Sequence, residues 1–101
     1  LGDVYKRQTL NNHTLAGIAA ASAEAAGAVI SNPDASTGGE DFSDYLPHVP
    51  GFFYWFGSRN EEKGCTWAWH NPHFRADEDS ISVAARLYAN TVFEAIQALK
   101  K

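Results

Sequence analysis

The segment His70-Asn71-Pro72-His73-Phe74 holds side chains suited to metal chemistry. Neutral imidazole is the commonest nitrogen ligand for zinc and similar ions, and His70 sits in a proline-containing loop after an apolar run. Enzymes that alternate strands and helices commonly place functional groups in such loops. Taken alone, a loop histidine is more often an ordinary polar residue than a ligand. His73 and Cys65 lie nearby, so a local Cys/His site can be drawn. Pro72 keeps the two histidines off one helical face, and a structural zinc site needs four protein ligands. A bland thiol is the simpler reading of Cys65.

A second candidate is Gly38-Gly39-Glu40-Asp41. Glycines let a backbone approach a ligand closely, and amides at a helix start bind carboxylates and oxyanions. Glu40 and Asp41 can equally cap the helix, or orient a metal-bound histidine from behind. Helix capping is the simpler alternative. The run Phe52-Phe53-Tyr54-Trp55-Phe56 and the pair Trp67/Trp69 read first as core, and also as possible walls of an acyl or aryl pocket.

The elements that must position these groups follow from spacing. Leu15, Ile18, Ala19, Ser22, Ala25, Ala26 and Val29 form one stripe at helical spacing, capped by Asn11 or Asn12 and stopped by Gly27. A stripe so rich in alanine suits close packing on a sheet. Val29-Ile30 is expected as a short strand, and the Ser36–Leu46 region as a loop entering a short helix ended by Pro47, Pro50 and Gly51. The continuous aromatic run predicts a strand buried on both faces. Trp67 and Trp69 share a face if their stretch is extended. Polar residues 58–64 predict an exposed loop. Asp77, Glu78 and Asp79 introduce a last helix with apolar positions Ile81, Ala84, Ala85, Tyr88, Val92, Ala95, Ile96 and Leu99, and with Lys100 and Lys101 at its negative end. The order is helix, short strand, short helix, buried strand, loop, helix: an α/β arrangement.

Composition narrows the classes. The chain has 101 residues, 45% hydrophobic and 13% aromatic, which excludes a disordered tail and suits one domain. A net charge of -4 is a poor footprint for a phosphate backbone, so no nucleic-acid partner is expected. No apolar run reaches membrane-spanning length, so no membrane partner is expected either. With a single cysteine, no intrachain disulfide can form. Residues 1–8 read as a non-native or disordered leader, and the absence of Met suggests a processed or truncated chain.

Taken in order, Gly38-Gly39-Glu40-Asp41-Phe42, then Val49-Pro50-Gly51-Phe52-Phe53 with Gly57, then His70-Asn71-Pro72-His73-Phe74 with Asp77-Glu78-Asp79, resemble a known family. They resemble the C-terminal part of metal-dependent amidohydrolases of the hippurate hydrolase type. Auxin-conjugate (indole-acetyl amino acid) hydrolases and N-acetyl-diaminopimelate deacetylases belong to that group, within the aminoacylase/carboxypeptidase metallopeptidases. The resemblance covers residues 9 to 101.

It implies the last stretch of a zinc-peptidase-like α/β catalytic domain, with an incomplete sheet, following an absent dimerisation domain. It implies His70 as a metal ligand, Gly38, Gly39 and Glu40 beside the substrate, and Asp41 and Trp69 behind the ligand or in the pocket. Relatives often carry a small or aliphatic residue where Trp69 stands. The general base and the other ligands are expected upstream, so the segment is expected to be inactive alone. The implied parent is a cytoplasmic homodimer with two divalent ions (zinc, manganese, cobalt or nickel) that hydrolyses N-acyl amino acids or small peptide-like substrates. Two alternatives stand beside it: a non-catalytic, aromatic-rich interaction module, and a small metal-binding protein using Cys65, His70 and His73.

Overall fold

Two helices and one short turn of 3-10 helix organise the chain: α1 (His13–Ala25), the 3-10 turn (Asp41–Asp44) and α2 (Asp79–Leu99). The structure, a computed structural model, describes residues 8–36 and 38–100. The leader expected over residues 1–8 falls almost wholly outside the described residues, as does Lys101.

Helix α1 begins where the sequence places it. Asn12 is extended, and its side-chain oxygen accepts the Leu15 N–H at 3.1 Å, satisfying one of the unpaired donors of the first turn. The helix stops at Gly27, whose φ of 77° is left-handed and costs little without a Cβ. The Ala28 N–H then closes back on the Ala23 carbonyl at 2.9 Å. The buried face consists of Ala19, Ser22 and Ala23. Ala25 is exposed, and Val29 lies beyond the helix at 95% exposure, so the expected stripe is corrected at its end. The face packs on α2 and not on a sheet. Small side chains permit close approach to any flat neighbour, a helix included.

Ser22 is 4% exposed, and its hydroxyl finds no hydrogen-bond partner among the described residues. Burying an unpaired hydroxyl costs about 1–3 kcal/mol, and alanine is the better helix former. Ser22→Ala should therefore raise the thermal midpoint, and a lowered midpoint would show that the hydroxyl has a partner.

Helix α2 starts on Asp77. Its carboxylate accepts the Asp79 N–H at 3.2 Å, and its carbonyl accepts the Ser80 N–H and hydroxyl at 3.0 and 2.6 Å. The apolar stripe expected on α2 is corrected. Leu87 is the buried residue, with Val83, Ala84, Thr91 and Ala95 half-buried around it. Ile81, Tyr88, Val92, Ile96 and Leu99 remain exposed at 41–82%. The small residues of α1 cover only one strip of α2, and those five fall beside it.

Between the helices the expected strands do not form among the described residues. Val29 and Ile30 are exposed and unpaired. Residues 51–57 join no helix and no ladder, alternate rings meet as on an extended backbone (Phe52 with Tyr54, Phe53 with Trp55), and Trp55 and Phe56 are 64% and 53% exposed. A strand is made by its neighbours' hydrogen bonds, and only one isolated bridge, Asn60 with Cys65, occurs among the described residues. The result is a slab of 47 × 45 × 19 Å with a radius of gyration of 15.7 Å. A closed domain of this length would have a radius near ~13 Å. Among the described residues the buried apolar ones are Ala19, Ala23, Cys65 and Leu87.

Candidate functional site

The polar loop after the aromatic run is a tight return. Asn60 and Cys65 exchange backbone hydrogen bonds at 3.0 and 2.8 Å across a turn that uses Gly64 at φ 71°. Cys65 is buried, and its thiol lies 3.8 Å from the Lys63 carbonyl. The Asp77 carboxylate ties this loop to α2. It accepts from Lys63 Nζ at 2.6 Å and from Asn60 Nδ2 at 2.8 Å, while Lys63 Nζ also reaches Asp79 at 2.5 Å.

The Lys63 and Asn60 hydrogen bonds pull the Asp77 pKa from 3.8 down to about 2. A carboxyl with a depressed folded pKa contributes stability above its unfolded value and loses it as pH falls through the folded one. Acidification from pH 4 towards about 2 should therefore lower the melting midpoint more steeply in the wild type than in Asp77→Asn. Parallel curves would remove Asp77 from this role.

His70 occupies a sharp corner. Its φ is 65°, which makes it the one non-glycine residue with positive φ among those described. This left-handed region is sparsely used by side-chain-bearing residues other than Asn, Asp and His. Asn71 and Pro72 continue the turn: Asn71 Oδ1 accepts the His73 N–H, and the Asn71 carbonyl accepts the Phe74 N–H, both at 2.9 Å. The His70 side chain is exposed, and its ring makes no hydrogen bond with the described residues.

The second motif has a different local role. The Glu40 side chain accepts the Phe42 N–H at 3.2 Å, and its carbonyl accepts the Ser43 hydroxyl at 2.7 Å, capping the 3-10 turn. The Gly38 N–H is engaged by Ser36 Oγ at 3.1 Å. Asp41 is exposed and opens the turn. Gly38 and Gly39 are both exposed without positive φ, so neither needs glycine's left-handed freedom here. No hydrogen bond joins Gly38 or Glu40 to His70 among the described residues.

What connects the two motifs is aromatic. Phe42 lies 5.4 Å from Phe53 between ring centroids, Phe53 meets Trp55 edge-on at 5.3 Å, and Trp55 stacks on Trp69 at 5.1 Å and 6°. Trp69 is bonded directly to His70. Trp67 takes another partner, the His73 ring at 5.5 Å, so the two tryptophans do not act as one wall. Asn11 adds a contact not read from the sequence. Its Nδ2 donates to the Phe53 carbonyl, and its Oδ1 accepts the Phe53 N–H, both at 2.8 Å across 42 residues. Nothing in the local pattern distinguishes Asn11 from Asn12, since both read as cap residues.

As a metal donor His70 fits, being exposed and without a competing hydrogen bond. By itself it makes no closed site: no group of three or more His, Cys, Asp or Glu placed to hold an ion occurs among the described residues. That finding gives no support to a local Cys65/His70/His73 centre, and burial of Cys65 explains part of it. No helix of the described residues is long and apolar enough to cross a membrane.

Fold and loop thus describe a segment presenting one metal-competent imidazole on an aromatic support. The chain belongs to peptidase family M20/M25/M40, whose profile matches residues 4–94. It is 31% identical over 96 residues to an N-acetylcysteine deacetylase of Bacillus subtilis (strain 168), covering 95% of this chain and 24% of that protein. It is 48% identical over 52 residues to the IAA-amino acid hydrolase ILR1-like 6 of Arabidopsis thaliana, covering 52% of this chain and 11% of the plant protein. Thermostable carboxypeptidase 2 of Saccharolobus solfataricus is 42% identical over 52 residues, covering 52% of this chain and 13% of that protein. The chain therefore spans a quarter or less of the length of these relatives. No solved structure matches it.

Proposed function

We propose that this chain is the C-terminal part of the catalytic domain of a metal-dependent amidohydrolase acting on N-acyl amino acids or small peptide-like substrates. The observation that carries this is the family match over residues 4–94 together with an exposed imidazole at His70 in the matching motif. The run 51–57, which joins no ladder among the described residues, and the exposed stripe of α2 support a sheet completed by the rest of the enzyme. By the same resemblance the whole enzyme is a homodimer, with its general base upstream.

Divalent ions bound at such a site supply Lewis acidity and lower the pKa of water. His70 serves as one donor through a neutral ring nitrogen, and its left-handed corner sets the direction of the ring. Asp41 helps orient the ligand loop. Gly38 and Gly39 let the substrate backbone come close. The Gly38 amide is already engaged by Ser36, and no hydrogen bond of the Gly39 amide to another described residue competes with substrate. Glu40 acts by shaping the loop it caps, and Trp69 with Trp55 offers a flat apolar surface to the acyl group.

The test is metal removal from the intact enzyme. Chelation should reduce hydrolysis of N-acyl amino acids to background, and zinc, manganese, cobalt or nickel should restore it. A metal-free enzyme that retained full activity would overturn the reading.

A further inference from the structure

We infer that Asn11 is a positioning residue for the His70 loop, acting as a one-residue substitute for a neighbouring strand. A carboxamide carries the same donor and acceptor as a peptide unit, and here it meets both backbone groups of Phe53 at 2.8 Å. The pairing also fixes the amide's orientation, because the flipped form would face donor with donor and acceptor with acceptor. One residue on, the backbone N–H of Asn12 donates to the Gly51 carbonyl at 2.9 Å. Together these bonds hold residues 51–53 against the start of α1, so the extended run has a defined register without a ladder. Register decides which ring points where, because side chains alternate along extended backbone.

The consequence runs along the rings. A slip at Phe53 moves its ring off Phe42 and Trp55, and Trp55 is the face-to-face partner of Trp69, the residue before the left-handed corner. A tryptophan held on one side fixes the backbone entering His70. Asn11 therefore acts on the imidazole through three aromatic residues and touches neither substrate nor ion. The catalytic part of this inference rests on the proposed function; the structural part does not.

The experiment uses the intact enzyme with Asn11→Ala, which removes both bonds, and Asn11→Asp, which keeps the acceptor and loses the donor. Stacked indoles give an exciton couplet in circular dichroism, isolated here as the signal lost on Trp69→Phe in each background. The couplet should shrink strongly in Asn11→Ala and partly in Asn11→Asp. In Asn11→Ala, kcat should fall about tenfold with little change in KM, as expected for a small misplacement at the reacting centre. Asn12→Ala, which removes the α1 cap and spares the Asn11 amide, should lower the melting midpoint and keep the couplet. If Asn11→Ala fails to fold, Asn11→Asp decides. An unchanged couplet in a folded variant, or an equal loss in Asn12→Ala, overturns the inference. Should His70→Ala leave metal content intact, the functional reading falls while the couplet still judges the Asn11 clamp.

Discussion

Replacing His70 in the intact enzyme should lower metal affinity by more than about 100-fold, because losing even an outer hydrogen-bonding partner of a ligand costs roughly 10- to 100-fold. Activity should fall with occupancy. Two substitutions separate the ring from the corner it stands on. His70→Ala removes the imidazole and also puts alanine at φ 65°, which adds roughly 1 kcal/mol of local strain. His70→Asn removes the imidazole while keeping a side chain that tolerates the left-handed region. If His70 is a ligand, both variants lose metal to the same extent after dialysis, measured by atomic emission. If the corner alone matters, Asn retains metal and Ala does not. Unchanged metal content in both would end the ligand assignment.

The largest expected effect on stability is at Gly51. A Cβ there would stand 2.6 Å from Leu46 Cδ2 and 3.1 Å from Phe42 Cζ. Leu46 can swing away, since the contact is the far end of its side chain. Phe42 is held between Tyr45 and Phe53 at 6.0 and 5.4 Å, so relief on that side disturbs the rings leading to Trp69. Overpacking of this kind costs about 1–3 kcal/mol for Gly51→Ala, and Gly51→Val should cost more. Gly57→Ala is the matched control, as its Cβ would meet nothing within 4 Å and its φ is not left-handed. Urea denaturation should show a lowered midpoint for Gly51→Ala and none for Gly57→Ala. Equal midpoints would mean that the ring cluster does not confine Gly51.

The two variants probe opposite ends of one line of contacts. The Gly51 side begins beside Phe42 and Leu46; the His70 side ends at the ligand loop. Between them lie Phe53, Trp55 and Trp69, each contact between 5.1 and 5.4 Å. Aromatic pairs in tilted, edge-on or stacked arrangements add about 0.5–1.5 kcal/mol each beyond area burial. With so few buried apolar residues among those described, such contacts matter for holding a loop in place.

The amino-acid sequence by itself determined the features whose causes are local. A cap at Asn11 or Asn12, Gly27 as stop, the acidic start of α2, the non-helical stretch at Pro72 and the polar loop of residues 58–64 each depend on residues within a few positions. Motif order and spacing also pointed to the family, because they record a shared chain path that needs no contacts to be read. The tertiary structure decided what depends on distant partners. Extended residues 51–57 are legible as apolar, but whether they are buried or half-exposed depends on neighbours contributed by other parts of a chain. The α2 residues that lose exposure are Leu87 with Val83, Ala84, Thr91 and Ala95, while an equally apolar face stays open, and helical spacing describes both faces. The Asn11 clamp and the Trp55–Trp69 stack belong to the same kind. They join residues brought together only when the chain returns on itself, and no window of neighbouring residues contains both partners.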